Sequence, residues 1–287
     1  AVGRLTEVRR DGVLSEYYEY DANGNRVLVY DDRSPDAQDF EYDSQHEDRL
    51  ERFGDFVYDW NDAGQLERRF DTDRGIESLY DYDELGLLQS VVINDGSSTE
   101  EISYLHDPMG RRIARYVDGV YQTGFVYADA LNPIAEVDET GAVTRVYVYG
   151  TKPNVPDLMI DLFPTPTIYR IISDVRGSVR MVVRVADGTV VQQMDYDAFG
   201  RVVVDTNLSG TFRQIPFGFA GGIYDRTTGL VRFGARDYDA ETGRWTAIDP
   251  ILSHGAQADF FVYCGNDPVN LIDPSGEISF AWVMMIV

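Results

Sequence analysis

The chain has 287 residues, of which 44% are hydrophobic, so it can bury a sizeable core and is not a disordered tail. Its 49 acidic and 25 basic residues give a net charge of −24, which argues against nucleic acid as a partner. The single cysteine, Cys264, excludes an intrachain disulfide, and the 19 tyrosines favour β-strands.

A Tyr-Asp-x-x-Gly unit recurs along the chain, with copies that start at Tyr20, Tyr82 and Tyr196. In each copy the Tyr ends a strand, the Asp accepts backbone N–H groups in the turn, and the Gly supplies the positive φ that lets the chain reverse. Degenerate copies keep only the Asp and the Gly, at residues 107–110, 138–141, 174–177, 225–229 and 239–243. Each unit therefore predicts a β-hairpin.

The segments between these turns also have the pattern of strands. Polar and apolar residues alternate in segments such as 143–149, and no segment keeps a helical period over three turns. The stretch 152–166 holds four prolines and predicts a loop or insertion instead of a strand. The predicted fold class is all-β, a long antiparallel meander of hairpins.

The last quarter of the sequence carries a more specific motif. Segments 219–222, 229–239 and 243–245, followed by Asp249-Pro250, resemble the Rhs repeat-associated core. Residues 265–276 match the terminal signature of that core nearly residue for residue. With its Tyr-Asp (YD) repeats, the chain thus resembles the Rhs/YD-repeat family, which includes bacterial Rhs polymorphic toxins, the C component of insecticidal Tc toxins and the teneurins.

The resemblance implies an architecture and a set of partners. In that family the repeats spiral into a hollow β-shell, the core plugs one end, and a variable toxin follows. Here residues 1–216 would be shell wall, 217–277 the core plug, and 278–287 the start of the variable region. The implied partners are the toxin segment in cis, further upstream shell repeats, and a secretion apparatus or a cell-surface receptor, with a secreted or cell-surface location.

The chain is expected to be one piece of a longer protein. A cavity that holds a toxin needs more sheet than 287 residues provide, and Ala1 stands where a Met would begin a chain. The tail 278–287 is almost wholly apolar, but a membrane helix needs about 20 such residues, so the tail does not span a membrane by itself.

The resemblance also implies an enzymatic activity directed at the chain itself. In the Tc C component and many Rhs toxins the core is an aspartyl autoprotease, and the matching residues here are Arg236, Asp237 and Asp249. The implied cut lies between Glu277 and Ile278. Two close carboxylates can share a proton, so that one activates water while the other protonates the leaving group.

A purely structural role for these residues is the alternative interpretation. Asp237 and Asp249 can be turn and strand-end residues, and Arg236 can be the partner in a structural ion pair. Cleaving relatives carry Leu at the position of Glu277, and a charged side chain fits an apolar subsite poorly. The expected cleavage is therefore slow or absent.

The residues of the terminal signature can also serve to stabilise turns, because Pro biases the residue before it to an extended conformation. Its characteristic residues are Asp267, Pro268, Asn270, Asp273, Pro274 and Gly276. The three histidines, His46, His106 and His254, have no metal-ligand spacing, so no metal and no cofactor is predicted.

Two other function classes compete with the shell. A cell-surface or wall-associated binding module is one, since Tyr-rich sheet faces can stack sugar rings or contact a receptor. A stand-alone hydrolase is the other and is least favoured, because nothing in the sequence indicates an open substrate cleft.

Overall fold

The computed structural model describes residues 3–34, 36–45, 48–208, 210, 212–248, 260–277 and 280–281. Its regular structure consists of β-strands and two short 3₁₀ helices, Phe219–Gly221 and Tyr263–Asn266. The strands are β1 Glu7–Arg10, β2 Val13–Tyr20, β3 Arg26–Asp31, β4 Gln38–Tyr42, β5 Leu50–Phe53, β6 Phe56–Trp60, β7 Leu66–Asp71, β8 Ile76–Tyr82, β9 Leu88–Asn94, β10 Thr99–His106, β11 Arg112–Val117, β12 Val120–Tyr127, β13 Pro133–Val137, β14 Val143–Val148, β15 Leu158–Asp161, β16 Thr167–Ser173, β17 Val179–Arg184, β18 Val190–Tyr196, β19 Val202–Asn207, β20 Ile223–Tyr224, β21 Leu230–Phe233, β22 Arg236–Asp239, β23 Arg244–Trp245, β24 Leu271–Ile272 and β25 Phe280–Ala281.

The first 19 strands form one sheet in which every strand pairs antiparallel with the next strand in sequence. A second sheet of four strands, β20 to β23, is likewise antiparallel. The predicted all-β meander is confirmed. Neither described helix is long and apolar enough to cross a membrane.

The repeat turns are built as the sequence predicts. In the turn after β8 the Asp83 carboxylate accepts the N–H groups of Leu85 and Leu87, both at 2.9 Å, and Gly86 has a φ of +80°. The turn after β18 repeats this pattern. Because alternate turns of a meander lie at the same edge of the sheet, the turns that follow even-numbered strands share one edge. We call it the plug edge.

Tyrosines at or just after the ends of four even-numbered strands, which we call the repeat tyrosines, donate their hydroxyl groups to backbone carbonyls of the sheet. The hydroxyl of Tyr42 donates to the carbonyl of Arg26 at 2.8 Å, and that of Tyr127 donates to the carbonyl of Arg112 at 2.9 Å. The same bond joins Tyr20 to Leu5 and Tyr149 to Pro133. In each case the acceptor lies 15 or 16 residues earlier, so the bond ties one hairpin to the hairpin before it.

The C-terminal segment 217–277, which we call the plug, packs against the inner face of the curled sheet. One hydrophobic cluster joins wall residues such as Tyr147 and Val182 to plug residues such as Phe217 and Phe233. The sheet curls so far that the turn after β18 reaches β2, where the N–H of Ala198 donates to Glu16 at 3.1 Å. Wall and plug therefore share this cluster, whereas a second cluster, which runs from Phe40 of β4 to Tyr104 of β10, includes one buried plug residue, Leu230.

One local expectation from the sequence is wrong. The proline-rich stretch 152–166 was expected to be a loop or insertion, but it contains β15, which pairs with both β14 and β16. The reason is that residues 158–161 are free of proline, and Pro156 and Pro164 flank the strand without removing a ladder N–H group.

Candidate functional site

The candidate site is organised by a hairpin in the plug that joins β21 to β22. The strand register places Arg232 directly opposite Asp237 and Phe233 opposite Arg236. Because side chains alternate along a strand, Asp237 and its neighbour Arg236 project to opposite faces. The two residues of the predicted Arg-Asp pair therefore lie on opposite faces of the hairpin and have different neighbours.

Asp237 lies in a buried ion cluster between the plug and the wall. Its carboxylate accepts hydrogen bonds from Arg232 at 2.8 Å and from Arg112, a residue of β11, at 2.9 and 3.2 Å. Only 1% of the Asp237 side chain is exposed. Burial raises the pKa of this carboxyl, but the two guanidinium groups outweigh burial and hold its pKa below the usual value, so Asp237 is charged at neutral pH.

A second ion pair lies beside the first and joins the same two parts of the chain. Asp225 of the plug accepts hydrogen bonds from Arg115 of β11 and from the hydroxyl of Tyr104 in β10, each at 2.7 Å. The Tyr104 ring in turn lies 3.6 Å from the Arg112 guanidinium carbon. Charged side chains of the wall therefore anchor the plug at two adjacent points.

His106, at the end of β10, lies next to these ion pairs. Burial, together with the positive charges of Arg112 and Arg232, lowers its pKa to about 4, and the opposing effects of Asp237 and Asp83 are smaller. His106 is therefore neutral at physiological pH.

Arg236 contacts the terminal signature on the other face of β22. Its Nε donates to the carbonyl of Gly276 at 2.5 Å, and its Nη2 lies 3.7 Å from the Asp273 carboxylate. The guanidinium stacks over Trp245 with its carbon 4.1 Å from the ring centroid. Arg236 thus holds the peptide group just before Glu277.

The end of the signature is itself a turn of the repeat type. The Asp273 carboxylate accepts the N–H of Glu277 at 3.3 Å and the hydroxyl of Ser275 at 3.0 Å. A Cβ on Gly276 would stand 2.3 Å from the carbonyl oxygen of Phe233, so only glycine allows the turn to approach the β21–β22 hairpin this closely.

The start of the signature docks on the plug edge of the wall. Asp267 accepts hydrogen bonds from the backbone and side chain of Asn270, which closes a turn. The carbonyl of Pro268 accepts a bond of 3.0 Å from Arg176, and the side chain of Asn266 donates to the carbonyl of Gly24 at 2.8 Å. The signature therefore attaches the plug to turns from opposite halves of the sheet.

The predicted site residues are brought together only in part. Arg236, Asp273, Gly276 and Glu277 meet on one face of β22, with Pro274 inside the same turn. Asp237 projects from the other face. Asp249 and Ile278, like the other residues of 249–259 and 278–279, lie outside the described residues.

Sequence reasoning missed the arginines that bind Asp237. Arg232 could have been found, because a two-residue turn at Gly234-Ala235 pairs it with Asp237 across the hairpin. Arg112 gives no such signal, since it is 125 residues away in the sequence. Among the residues that the structure describes, no group of three or more His, Cys, Asp and Glu side chains could hold a metal ion.

Comparison with known proteins identifies relatives of this chain. The family model described as the teneurin YD-shell matches residues 1–269. Teneurin-3 of Danio rerio is 29% identical over 283 residues, which is 94% of this chain but 10% of that protein. The tRNA3(Ser)-specific nuclease WapA of Bacillus spizizenii is 26% identical over 290 residues, 99% of this chain and 12% of the nuclease.

A solved structure shares the fold. The crystal structure of TcdB2-TccC3 superposes with a TM-score of 0.66 at 16% identity and covers 96% of this chain and 14% of that chain. The chain thus spans about a tenth of the length of the curated relatives that it matches.

Proposed function

Because the chain belongs to the teneurin YD-shell family, we propose that it forms the wall and plug at one end of a toxin-enclosing shell, and that the plug cuts its own chain after Glu277. The observation that carries the shell is the plug edge. Turns from β2–β3 to β16–β17 reach the plug there, as Gly24 and Arg176 do, so a spiral of hairpins ends on the plug. The toxin segment would follow residue 277 in cis, inside a secreted or cell-surface protein.

Relatives support an enclosed payload. One match is a nuclease, and another solved structure is described as TcdB2-TccC3 without its hypervariable C-terminal region. The experiment uses the full-length protein encoded by the gene, treated with a non-specific protease before and after heating through unfolding. A payload inside a shell resists digestion until the shell unfolds. Digestion of the C-terminal region at the same rate in both states would reject enclosure.

Arg236 and the Asp273 turn support the self-cleavage proposal. They hold the carbonyl of Gly276 and the N–H of Glu277, so the peptide next to the proposed cut is fixed in place, as proteolysis requires. In the proposed mechanism Asp237 and Asp249 share the acid and base roles, with Asp237 entering charged. Because Asp237 faces Arg112 and Arg232 on the other side of β22, this mechanism requires the chain after Glu277 to reach that side. Arg236 orients the chain.

Cleavage is tested on a chain that extends past Val287, by gel and intact mass. Wild type should yield a fragment that ends at Glu277, and Asp249→Asn should stay whole while keeping its β-type circular dichroism. Glu277→Leu should speed the cut, because Leu fits an apolar subsite. If wild type and Glu277→Leu both stay whole, the plug is not a protease, and the shell proposal stands without it.

Asp237→Asn needs a separate control, because it leaves Arg112 and Arg232 buried without their carboxylate. Loss of one partner of a buried pair costs about 3–5 kcal/mol. Cleavage of the Asp237→Asn variant is therefore assessed only in samples whose circular dichroism spectrum matches that of wild type. Cutting that persists in both Asn variants would assign the acid and base to other residues.

A surface-binding module remains the second candidate, and one observation favours it. The outer face of β12 to β16 carries a directly paired apolar row, Val126, Ala135, Val146, Ile160 and Ile168. Val126 and Ile168, at the ends of the row, are 44% and 47% exposed. Apolar surface suits a protein receptor better than a sugar. Binding of the labelled protein to target cells that survives Ile168→Lys would reject this surface.

A further inference from the structure

The joint between wall and plug carries an excess of positive charge. Three buried or half-buried guanidinium groups, those of Arg112, Arg115 and Arg232, share two carboxylates, Asp225 and Asp237. His106 is neutral there. The three guanidinium groups therefore carry one positive charge more than their two ion-pair partners balance, and an unbalanced buried charge is costly.

Hydrogen-bond donors in the joint are also left over. The Nε atoms of Arg112 and Arg232 and the Nε2 atom of His106 are buried and find no partner among the described residues. The Arg112 and Arg232 side chains are each 3% exposed. A buried donor without an acceptor costs about 1–3 kcal/mol, so the site can gain stability from an added acceptor.

Of the three arginines, Arg232 is the one whose pKa is lowered. Burial lowers the pKa of its guanidinium, Asp237 raises it, and the like charge of Arg112 lowers it again, so that the net shift is downward. One carboxylate between two buried guanidiniums thus leaves Arg232 short of negative charge.

A small cavity lies beside both arginines. Its volume is about 40 Å³, and its lining includes Arg112, Arg232, Tyr127, Gly234 and Pro274. A water-sized occupant needs about 10–15 Å³ by the same kind of measure. The space therefore admits a monatomic ion or about three waters, and is too small for an organic acid of the size of gluconate.

We propose that this cavity binds a small monovalent anion of halide size between Arg112 and Arg232, which completes the contact between wall and plug. The excess positive charge favours an anion over water, since water would satisfy a donor but leave the charge unbalanced. The site does not depend on self-cleavage or on a payload.

The first experiment compares thermal unfolding in sodium chloride and sodium gluconate at equal ionic strength. Matched ionic strength equalises the screening of the −24 net charge, and gluconate is too large for the cavity. We expect chloride to raise the unfolding midpoint by about 2–4 °C over gluconate, as for about 1 kcal/mol of ligand stabilisation. The increment should vanish in Arg232→Met and persist in Arg184→Met, which removes a half-exposed pair with Asp187.

A second experiment needs no variant and covers the case in which Arg232→Met fails to fold. Crystals of the wild-type chain in bromide should show an anomalous peak between the two guanidinium groups. A cavity without such a peak, or equal midpoints in the two salts, would overturn the proposal. So would a chloride increment that persists in Arg232→Met.

Discussion

At the scale of single residues, the repeat tyrosine does two things: it buries a ring and it ties neighbouring hairpins together. Tyr127→Phe keeps the ring but removes the 2.9 Å bond to the carbonyl of Arg112. We expect a loss of about 1 kcal/mol in the free energy of unfolding, measured in urea. Tyr17→Phe is the control, because the Tyr17 hydroxyl makes an exposed bond to Glu19, and little change is expected. Equal losses in the two variants would contradict a role for the inward bond.

His106 makes stability depend on pH in the mildly acidic range. Its folded pKa is about 4 against an ordinary 6.5, so its contribution is fully present above pH 6.5 and is lost as the pH falls towards 4. The groups around it are Arg112, Arg232, Asp237 and Asp83, with Gln89 beside Nδ1. Protonation would add a charge next to two guanidiniums.

We expect the free energy of unfolding to fall by about 2 kcal/mol between pH 6.5 and 4 on account of His106, less than the full shift because the ring is partly exposed. Asp237, whose pKa is also lowered, adds a further loss at still lower pH. His106→Gln should flatten the upper part of this profile in urea titrations at each pH. A His106→Gln profile that overlays wild type would show that other groups cause the acid sensitivity.

At the scale of elements, the five-residue Asp-x-x-Gly turn serves both the wall and the plug. It closes the hairpins on the plug edge, and it recurs at residues 273–277, where the family signature ends. The signature is therefore explained in part as a repeat turn that docks on a second hairpin.

Two glycines in hairpin turns allow the cost of backbone strain to be separated from the cost of packing. Gly96 has a φ of +82° and open space around it, whereas Gly200 has a φ of +94° and a Cβ there would stand 2.4 Å from the Phe219 ring. Gly96→Ala should cost about 1–2 kcal/mol for the left-handed backbone alone. Gly200→Ala should cost about 1–3 kcal/mol more, because the plug must move. Similar unfolding midpoints for the two variants would mean that the Gly200 turn does not contact the plug in solution.

At the scale of the whole molecule, wall and plug are continuous. The large hydrophobic cluster takes members from both segments, among them Tyr147 and Met159 of the wall and Phe219, Tyr238 and Trp245 of the plug. The boundary at residue 217 is thus a boundary in sequence motif that runs through a shared core.

Removal of the plug should consequently leave the later part of the wall, β14 to β18, without a fixed core. We expect the fragment 1–216 to bind a hydrophobic dye and to lose cooperative unfolding in urea, since the inner face of β14 to β18 becomes exposed. The fragment 1–277, which keeps the plug, is the matched control and should unfold in one transition. A fragment 1–216 that unfolds cooperatively without binding dye would make the wall an independent domain.

The sequence by itself determined the strands, the turns and their order. An Asp and a Gly at fixed spacing specify a hairpin turn, because the Asp accepts local backbone hydrogen bonds and the Gly adopts a positive φ. The turn at Tyr82 to Gly86 could therefore be predicted without knowing what packs against it. The resemblance in residues 217–276 located the plug for the same reason, because its motif is contiguous. The sequence did not predict strand β15, because prolines flank it closely on both sides and a proline-rich stretch is typical of a loop.

Only the tertiary structure decided which charges meet. Arg112 reaches Asp237 across 125 residues because the sheet curls around the plug, and no local pattern encodes that distance. The hairpin register turned Asp237 towards the wall and Arg236 towards Gly276, although the two are adjacent in sequence. Local turns are fixed by short-range bonds, whereas a buried ion pair depends on how the whole sheet closes, and this is why the sequence located the plug but not its contacts with the wall.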